Sequence, residues 1–180
     1  AMESVQAVFN RFTHTAWSDY LNESDPAKVA ELERTGIPYF LRNAFEKVRE
    51  EVATTKVKEG TVAIWLLYNM GYIVKTPTST FGIDIYSRYA EDLLDMIDFV
   101  MITHNHGDHY TKEMAEGMTR RNKPVFANFD IAGADVTRVE DGKVYEVGDV
   151  KIRTTIGDHN AQLLNYVVAY EIDCGESTDN

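Results

Sequence analysis

The sequence has few cysteines, few basic residues and no long apolar run, and each shortage excludes a class of protein. Its 180 residues include one cysteine, Cys174, so no disulfide can form within the chain. Lysine and arginine total 18 against 29 aspartates and glutamates, which gives a net charge of −11 with neutral histidine. A surface this acidic repels phosphate backbones, so a nucleic-acid partner is not expected. The longest apolar run, Val62–Leu67, is too short to span a bilayer, so no membrane partner is expected either.

The N-terminus also lacks a basic segment followed by an apolar one, so we expect no signal peptide and a cytoplasmic location. The hydrophobic fraction of 44% and the charged fraction of 26% are typical of a globular domain. A chain of this length can bury a sizeable core without disulfides.

Hydrophobic spacing predicts an α+β protein with mixed α/β layers. Residues 1–55 have helical spacing and are predicted to form an N-terminal helical extension, whereas strand formers accumulate in residues 56–180. The predicted helices cover residues 27–34, 38–52, 89–96 and 111–118. The predicted strands cover residues 61–67, 72–75, 81–85, 98–103, 124–127, 144–147, 150–155 and 164–172.

Three of the five histidines fall within six residues, beside an aspartate. His104, His106, Asp108 and His109 follow the apolar strand at 98–103 and precede the helix at 111–118. Imidazole and carboxylate are ligands that zinc accepts. Residues two apart in an extended loop point the same way, and Gly107 lets the chain turn, so the four side chains can serve two neighbouring metal ions.

This segment resembles the His-x-His-x-Asp-His signature of the metallo-β-lactamase superfamily, and the likeness covers residues from about 60 to 172. The resemblance implies that His104, His106 and His159 hold one metal ion and that Asp108 and His109 contribute to a second. It also implies that Asp84 orients a ligand histidine by a hydrogen bond. The implied fold is part of a four-layer αββα sandwich, and the nearest branch is that of the lactonase-like and phosphodiesterase-like hydrolases.

The chain departs from the family pattern after His159. A full member continues to a bridging aspartate and a final histidine, and neither has a counterpart here. We therefore interpret residues 56–180 as a C-terminally incomplete domain, which alone is expected to be weak or inactive and to self-associate through an exposed apolar face.

The function implied by the resemblance is metal-dependent hydrolysis, in which a metal-bound hydroxide oriented by Asp108 attacks an ester, lactone or phosphodiester. The substrate is expected to be a small molecule, and an anionic one is compatible with the site. One or two divalent ions are expected, zinc first, with manganese or iron as alternatives. Two other functions stay open at this point: a metal-binding module without catalysis, and an iron-dependent oxidoreductase that uses the same ligands.

Overall fold

The computed structural model describes residues 19–34, 36–68 and 70–175. The chain divides into two compact units, Ala1–Lys47 and Val48–Asn180.

In the first unit, helix α1 (Pro26–Leu32) begins as its sequence predicts. The Asp25 side chain accepts a hydrogen bond from the Ala27 amide at 2.9 Å, and proline occupies the first turn. Helix α2 (Gly36–Thr54) follows, and the division falls within it. The predicted helical character of residues 1–18 lies outside the described residues, and the predicted domain boundary at 55/56 stays a prediction.

In the second unit, six described strands form a mixed sheet in the order of the sequence. The first three strands pair antiparallel, and β3 to β6 pair parallel. The strands are β1 (Ala63–Leu67), β2 (Gly71–Lys75), β3 (Thr80–Ile83), β4 (Phe99–Met101), β5 (Val125–Ala127) and β6 (Thr137–Arg138). Helix α3 (Lys112–Arg120) lies between β4 and β5 in the chain, and its N-terminus is capped by the side chain of Thr111. The parallel order places the carboxyl ends of β3, β4 and β5 at one edge of the sheet.

Three further strands form a second, antiparallel sheet: β7 (Val144–Val147), β8 (Val150–Gly157) and β9 (Val167–Asp173). The two sheets enclose an apolar core whose centre is the stacked pair Phe81 and Phe99, with ring centroids 4.7 Å apart. Val150, Ile152 and Val168 contribute to it from the second sheet and are fully buried. The predicted fold class, mixed α/β layers, is therefore confirmed.

Several strands end earlier or begin later than predicted, and two of these differences shape the same region. Strand β3 stops at Ile83 because Asp84 adopts a positive φ of 49°, which no strand residue has. Strand β9 begins at Val167 rather than 164, and Asn165 has a φ of 52°. Asn and Asp tolerate this conformation better than other side chains. The residue types are compatible with the turns, but they do not by themselves require them.

Part of the sheet face that continues the apolar core is exposed. On β1 and β2, the side chains of Ile64, Leu66 and Tyr72 are 60%, 62% and 43% exposed. Val74, on the same face of β2, is buried in the core. The predicted self-association, which such a face would favour, stays a prediction. None of the described helices combines the length and the apolar character needed to cross a bilayer.

Candidate metal site

The histidine-rich segment forms a tight loop directly after β4. In residues 104–110, here called the first loop, the His106 amide donates to the His104 carbonyl at 3.0 Å and the His109 amide donates to the His106 carbonyl at 3.1 Å. These two short-range bonds fold the loop back on itself. As a result the rings of His106 and His109 lie 4.5 and 3.9 Å from the ring of His104, between centroids.

A histidine from a distant loop completes a cluster of three imidazoles. His159 lies in residues 158–166, here called the second loop, between β8 and β9. The rings of His104 and His106 are 5.0 and 4.9 Å from the His159 ring. One nitrogen from each of these three histidines lies within 4.8 Å of the other two. His104 is buried, His106 is half-buried and His159 is exposed, so the cluster opens toward solvent on one side.

The donor set of this cluster suits a divalent metal ion of the zinc type. Three neutral imidazoles can bind such an ion and leave a position open for water or substrate. Burial and the neighbouring His109 and His106 lower the pKa of His104 to about 4, so this ring is neutral, the form that binds metals, at physiological pH. His104 Nε2 and His106 Nδ1 face each other at 3.0 Å. The three residues present therefore fit the metal that the family implies.

Below the cluster, a buried carboxylate sets the orientation of the first loop. Asp84 Oδ1 accepts a hydrogen bond from the Thr103 amide at 2.8 Å, and Oδ2 accepts one from the Thr103 hydroxyl at 2.8 Å. Asp84 Oδ2 also lies 2.9 Å from His109 Nδ1, and both side chains are nearly inaccessible. The unusual backbone of Asp84 at the end of β3 points its carboxylate into this position. Asp84 thus contacts one of the predicted ligands directly.

The same contacts select a tautomer for His104. The Thr103 hydroxyl has one proton and donates it to Asp84, so toward His104 Nδ1, 2.9 Å away, its oxygen acts as the acceptor. Nδ1 of His104 then carries the ring proton, and Nε2 keeps the free lone pair that faces the cluster. Such partners behind a ligand histidine are usual in metal sites. Thr103 is therefore a site residue that the sequence analysis missed, although it directly precedes His104.

The remaining predicted ligands, Asp108 and His109, lie beside the cluster. His109 Nε2 is 3.9 Å from Asp108 Oδ1. Within the part of the chain that the structure describes, His104, His106 and His159 are the only three histidine, cysteine or carboxylate side chains that converge in this way. Asp108 and His109 are thus near each other but have no third ligand there. The assignment of a second metal to them, and of the catalytic role to Asp108, stays a prediction.

An aromatic side chain borders the cluster that no sequence motif indicated. The ring of Tyr166 lies 5.9, 5.3 and 6.1 Å from the rings of His104, His106 and His159. Its hydroxyl donates a hydrogen bond to the Asn105 carbonyl at 2.5 Å. The sequence analysis placed Tyr166 inside the last strand, because it is a strand former in a strand-like run. Only the late start of β9, at Val167, places Tyr166 in the second loop.

Comparison with known proteins identifies the family of this chain. A family model described as a beta-lactamase superfamily domain matches residues 63–172. The chain therefore belongs to the metallo-β-lactamase superfamily, as the sequence analysis predicted, and covers part of its fold. Most members of that superfamily are metal-dependent hydrolases.

Individual curated relatives match over about half of this chain. A UPF0173 protein of Pyrococcus abyssi is 28% identical over 94 residues, which are 49% of this chain and 45% of that protein. A hydroxyacylglutathione hydrolase of Rhodopseudomonas palustris is 33% identical over 113 residues, which are 56% of this chain and 44% of that protein. The chain thus spans about half the length of the curated relatives it matches. Among solved structures, a B3 metallo-β-lactamase with an active-site glutamic acid has a TM-score of 0.50 and 14% identity, over 75% of this chain and 63% of that one, which shows the fold alone.

Proposed function

We propose that this chain carries the first metal site of a metal-dependent hydrolase, with His104, His106 and His159 as the ligands and zinc as the metal. The observation that supports the proposal is the convergence of three imidazole nitrogens within 4.8 Å. The Thr103–Asp84 contacts strengthen it, because they leave the His104 nitrogen that faces the cluster free to bind. When bound, a divalent cation lowers the pKa of a water molecule and stabilises negative charge on a substrate oxygen.

In this proposal the residues of the chain have distinct tasks. Asp84 and Thr103 hold the first loop and fix the tautomer of His104. Asp108, which is half-buried at the edge of the cluster, accepts a proton from the attacking water. The substrate is a small ester, lactone or phosphodiester that enters from the exposed, His159 side. A complete enzyme would need further ligands around Asp108 and His109.

Elemental analysis tests the proposal. The chain is purified without chelator, reconstituted with zinc and desalted, beside His106→Ala and a control, Asp135→Ala, which changes an exposed residue that is not part of the three-histidine group. About one zinc ion per chain, lost in His106→Ala and kept in the control, would support it. A chain that binds no zinc, or a His106→Ala variant that binds as much as the unmodified chain, would contradict it. Hydrolysis of generic esters and phosphodiesters, lost in the same variant, would extend the result from binding to catalysis.

A second candidate, a metal-binding module without catalysis, is favoured by one specific observation. Asp108 and His109 are not joined by any third ligand among the described residues. Two-metal hydrolysis needs both ions. One bound zinc ion without turnover on the ester and phosphodiester panel would favour this second function for the isolated chain.

A further inference from the structure

The hydroxyl of Tyr166 makes a side-chain hydrogen bond between the two loops that carry the three histidines. It donates to the carbonyl of Asn105, the residue between His104 and His106. A backbone bond from the Val168 amide to the Thr103 carbonyl, at 2.8 Å, lies next to it. The Tyr166 bond is therefore a contact between the loops that a side-chain substitution can remove without altering the main chain.

The second loop is otherwise organised mainly by its own residues. The Asn160 side chain accepts from the Gln162 and Leu163 amides, and the Asp158 side chain accepts from the Asn165 amide at 2.8 Å. These bonds give the loop a defined shape. They do not fix its distance from the first loop, and that distance decides whether the exposed His159 reaches His104 and His106.

The end of the second loop is anchored at the carboxyl end of β5. The Asn128 side-chain amide lies 3.2 Å from the carbonyls of both Asn165 and Tyr166 and donates to them. The Asn128 side chain thus anchors the backbone of Tyr166, while the Tyr166 hydroxyl bonds to the first loop. Its ring also covers one side of the cluster, within about 6 Å of all three imidazoles.

We propose that Tyr166 is a positioning residue that fixes the second loop against the first and so sets the place of His159 in the three-histidine cluster. This inference rests on the proposed metal site. It predicts that loss of the hydroxyl alone weakens metal binding, because the third ligand then has to be ordered when the metal binds. Outer partners of metal ligands typically change affinity by about 10- to 100-fold when removed.

A pair of tyrosine-to-phenylalanine variants tests it. Tyr166→Phe removes the bond to the Asn105 carbonyl, whereas Tyr110→Phe removes a bond of the same kind to the Asn105 side chain, at 2.9 Å. Neither change removes a ring. Zinc affinity is measured on the full chain by competition with a chromophoric chelator. We expect about 10-fold weaker binding or more for Tyr166→Phe, and less than about 3-fold for Tyr110→Phe.

Two further measurements separate positioning from general stability. Melting temperatures of the metal-free variants should agree with the unmodified chain within about 2 °C, since each loses one exposed hydrogen bond. In cobalt-loaded samples of equal occupancy, the visible absorption, which reports the ligand arrangement, should change for Tyr166→Phe and stay the same for Tyr110→Phe.

The possible results distinguish this inference from the proposed function. If the unmodified chain binds zinc and Tyr166→Phe binds it equally well with an unchanged cobalt spectrum, the positioning role is wrong and the metal site stands. Equal losses in both variants would also overturn it, because they would point to the shape of the first loop rather than to its link with the second. If the unmodified chain binds no zinc, the proposed function itself fails.

Discussion

The two loops that meet at the histidine cluster are built in different ways. The first loop lies on a buried polar network, in which Asp84 contacts both Thr103 and His109 with almost no access to solvent. The second loop is largely exposed, and its shape comes from the side chains of Asp158, Asn160 and Asn128. Buried polar bonds are costly to break, whereas exposed ones contribute little to stability. We therefore expect loss of the buried network under the first loop to affect folding and metal binding together, and loss of an exposed side chain at the cluster from the second loop to affect metal binding alone.

The largest effect on stability is expected for Asp84→Ala. The change leaves the Thr103 amide and hydroxyl and the His109 ring without their buried partner, which should lower the free energy of unfolding by about 3 kcal/mol. Zinc affinity should fall by at least about 10-fold. Chemical denaturation in the presence of a chelator measures the change in the free energy of unfolding. Asp135→Ala, at an exposed position, is the control and should stay within about 0.5 kcal/mol. A stable Asp84→Ala variant would remove the basis of the contrast between the loops.

His159→Ala should weaken zinc binding and leave the stability of the metal-free chain almost unchanged. Because His159 is exposed, its removal should change the free energy of unfolding of the metal-free chain by less than about 0.5 kcal/mol. Zinc binding should weaken by more than the roughly 100-fold upper range of an outer partner, since a ligand itself is lost. The same denaturation and competition measurements apply. Unchanged zinc affinity would show that the second loop does not supply a ligand.

These two cases also show how far the sequence could be read. The first loop is local: the spacing of His104, His106, Asp108 and His109, after one apolar strand and before one helix, predicts a tight ligand loop from neighbouring residues alone. Asp84 and His159 required the family resemblance, because the sheet pairing that brings them close is long-range. Tyr166 could not be predicted, since its residue type suits a strand and only the turn at Asn165 takes it out of one.

Acid should destabilise the metal-free chain through the first loop. Burial and the neighbouring imidazoles lower the pKa of His104 to about 4 in the folded state, whereas the unfolded value is about 6.5. Between these values the unfolded chain binds the additional proton. The free energy of unfolding should therefore fall as the pH decreases from about 6.5 to about 4, and this group should have no effect above that range.

Chemical denaturation at a series of pH values in the presence of a chelator measures this contribution, with His104→Gln as the comparison. Part of the decrease in the free energy of unfolding between pH 6.5 and 4 should be absent in the variant. Parallel curves for the two proteins would contradict the assignment of the slope to His104.

The smallest effect is expected for Asn165→Gly, at a position where the backbone conformation is tested. Asn165→Gly should be nearly neutral, because glycine adopts a φ of 52° without strain. Asn165→Val, a β-branched residue at the same position, should cost about 1–3 kcal/mol and weaken zinc binding. Thermal melts and zinc competition compare the pair. Equal behaviour of the two variants would mean that the turn into β9 does not determine where the second loop lies.

The family and fold class are established, while the native metal, the substrate, self-association and a cytoplasmic location stay predictions. The central claim is that both loops supply ligands to one metal ion. X-ray absorption at the zinc edge, on the zinc-loaded chain and on His159→Ala, counts the imidazoles directly. The account predicts three imidazole nitrogens around zinc in the unmodified chain and two in the variant. Two or fewer in the unmodified chain, or the same number in both proteins, would contradict it.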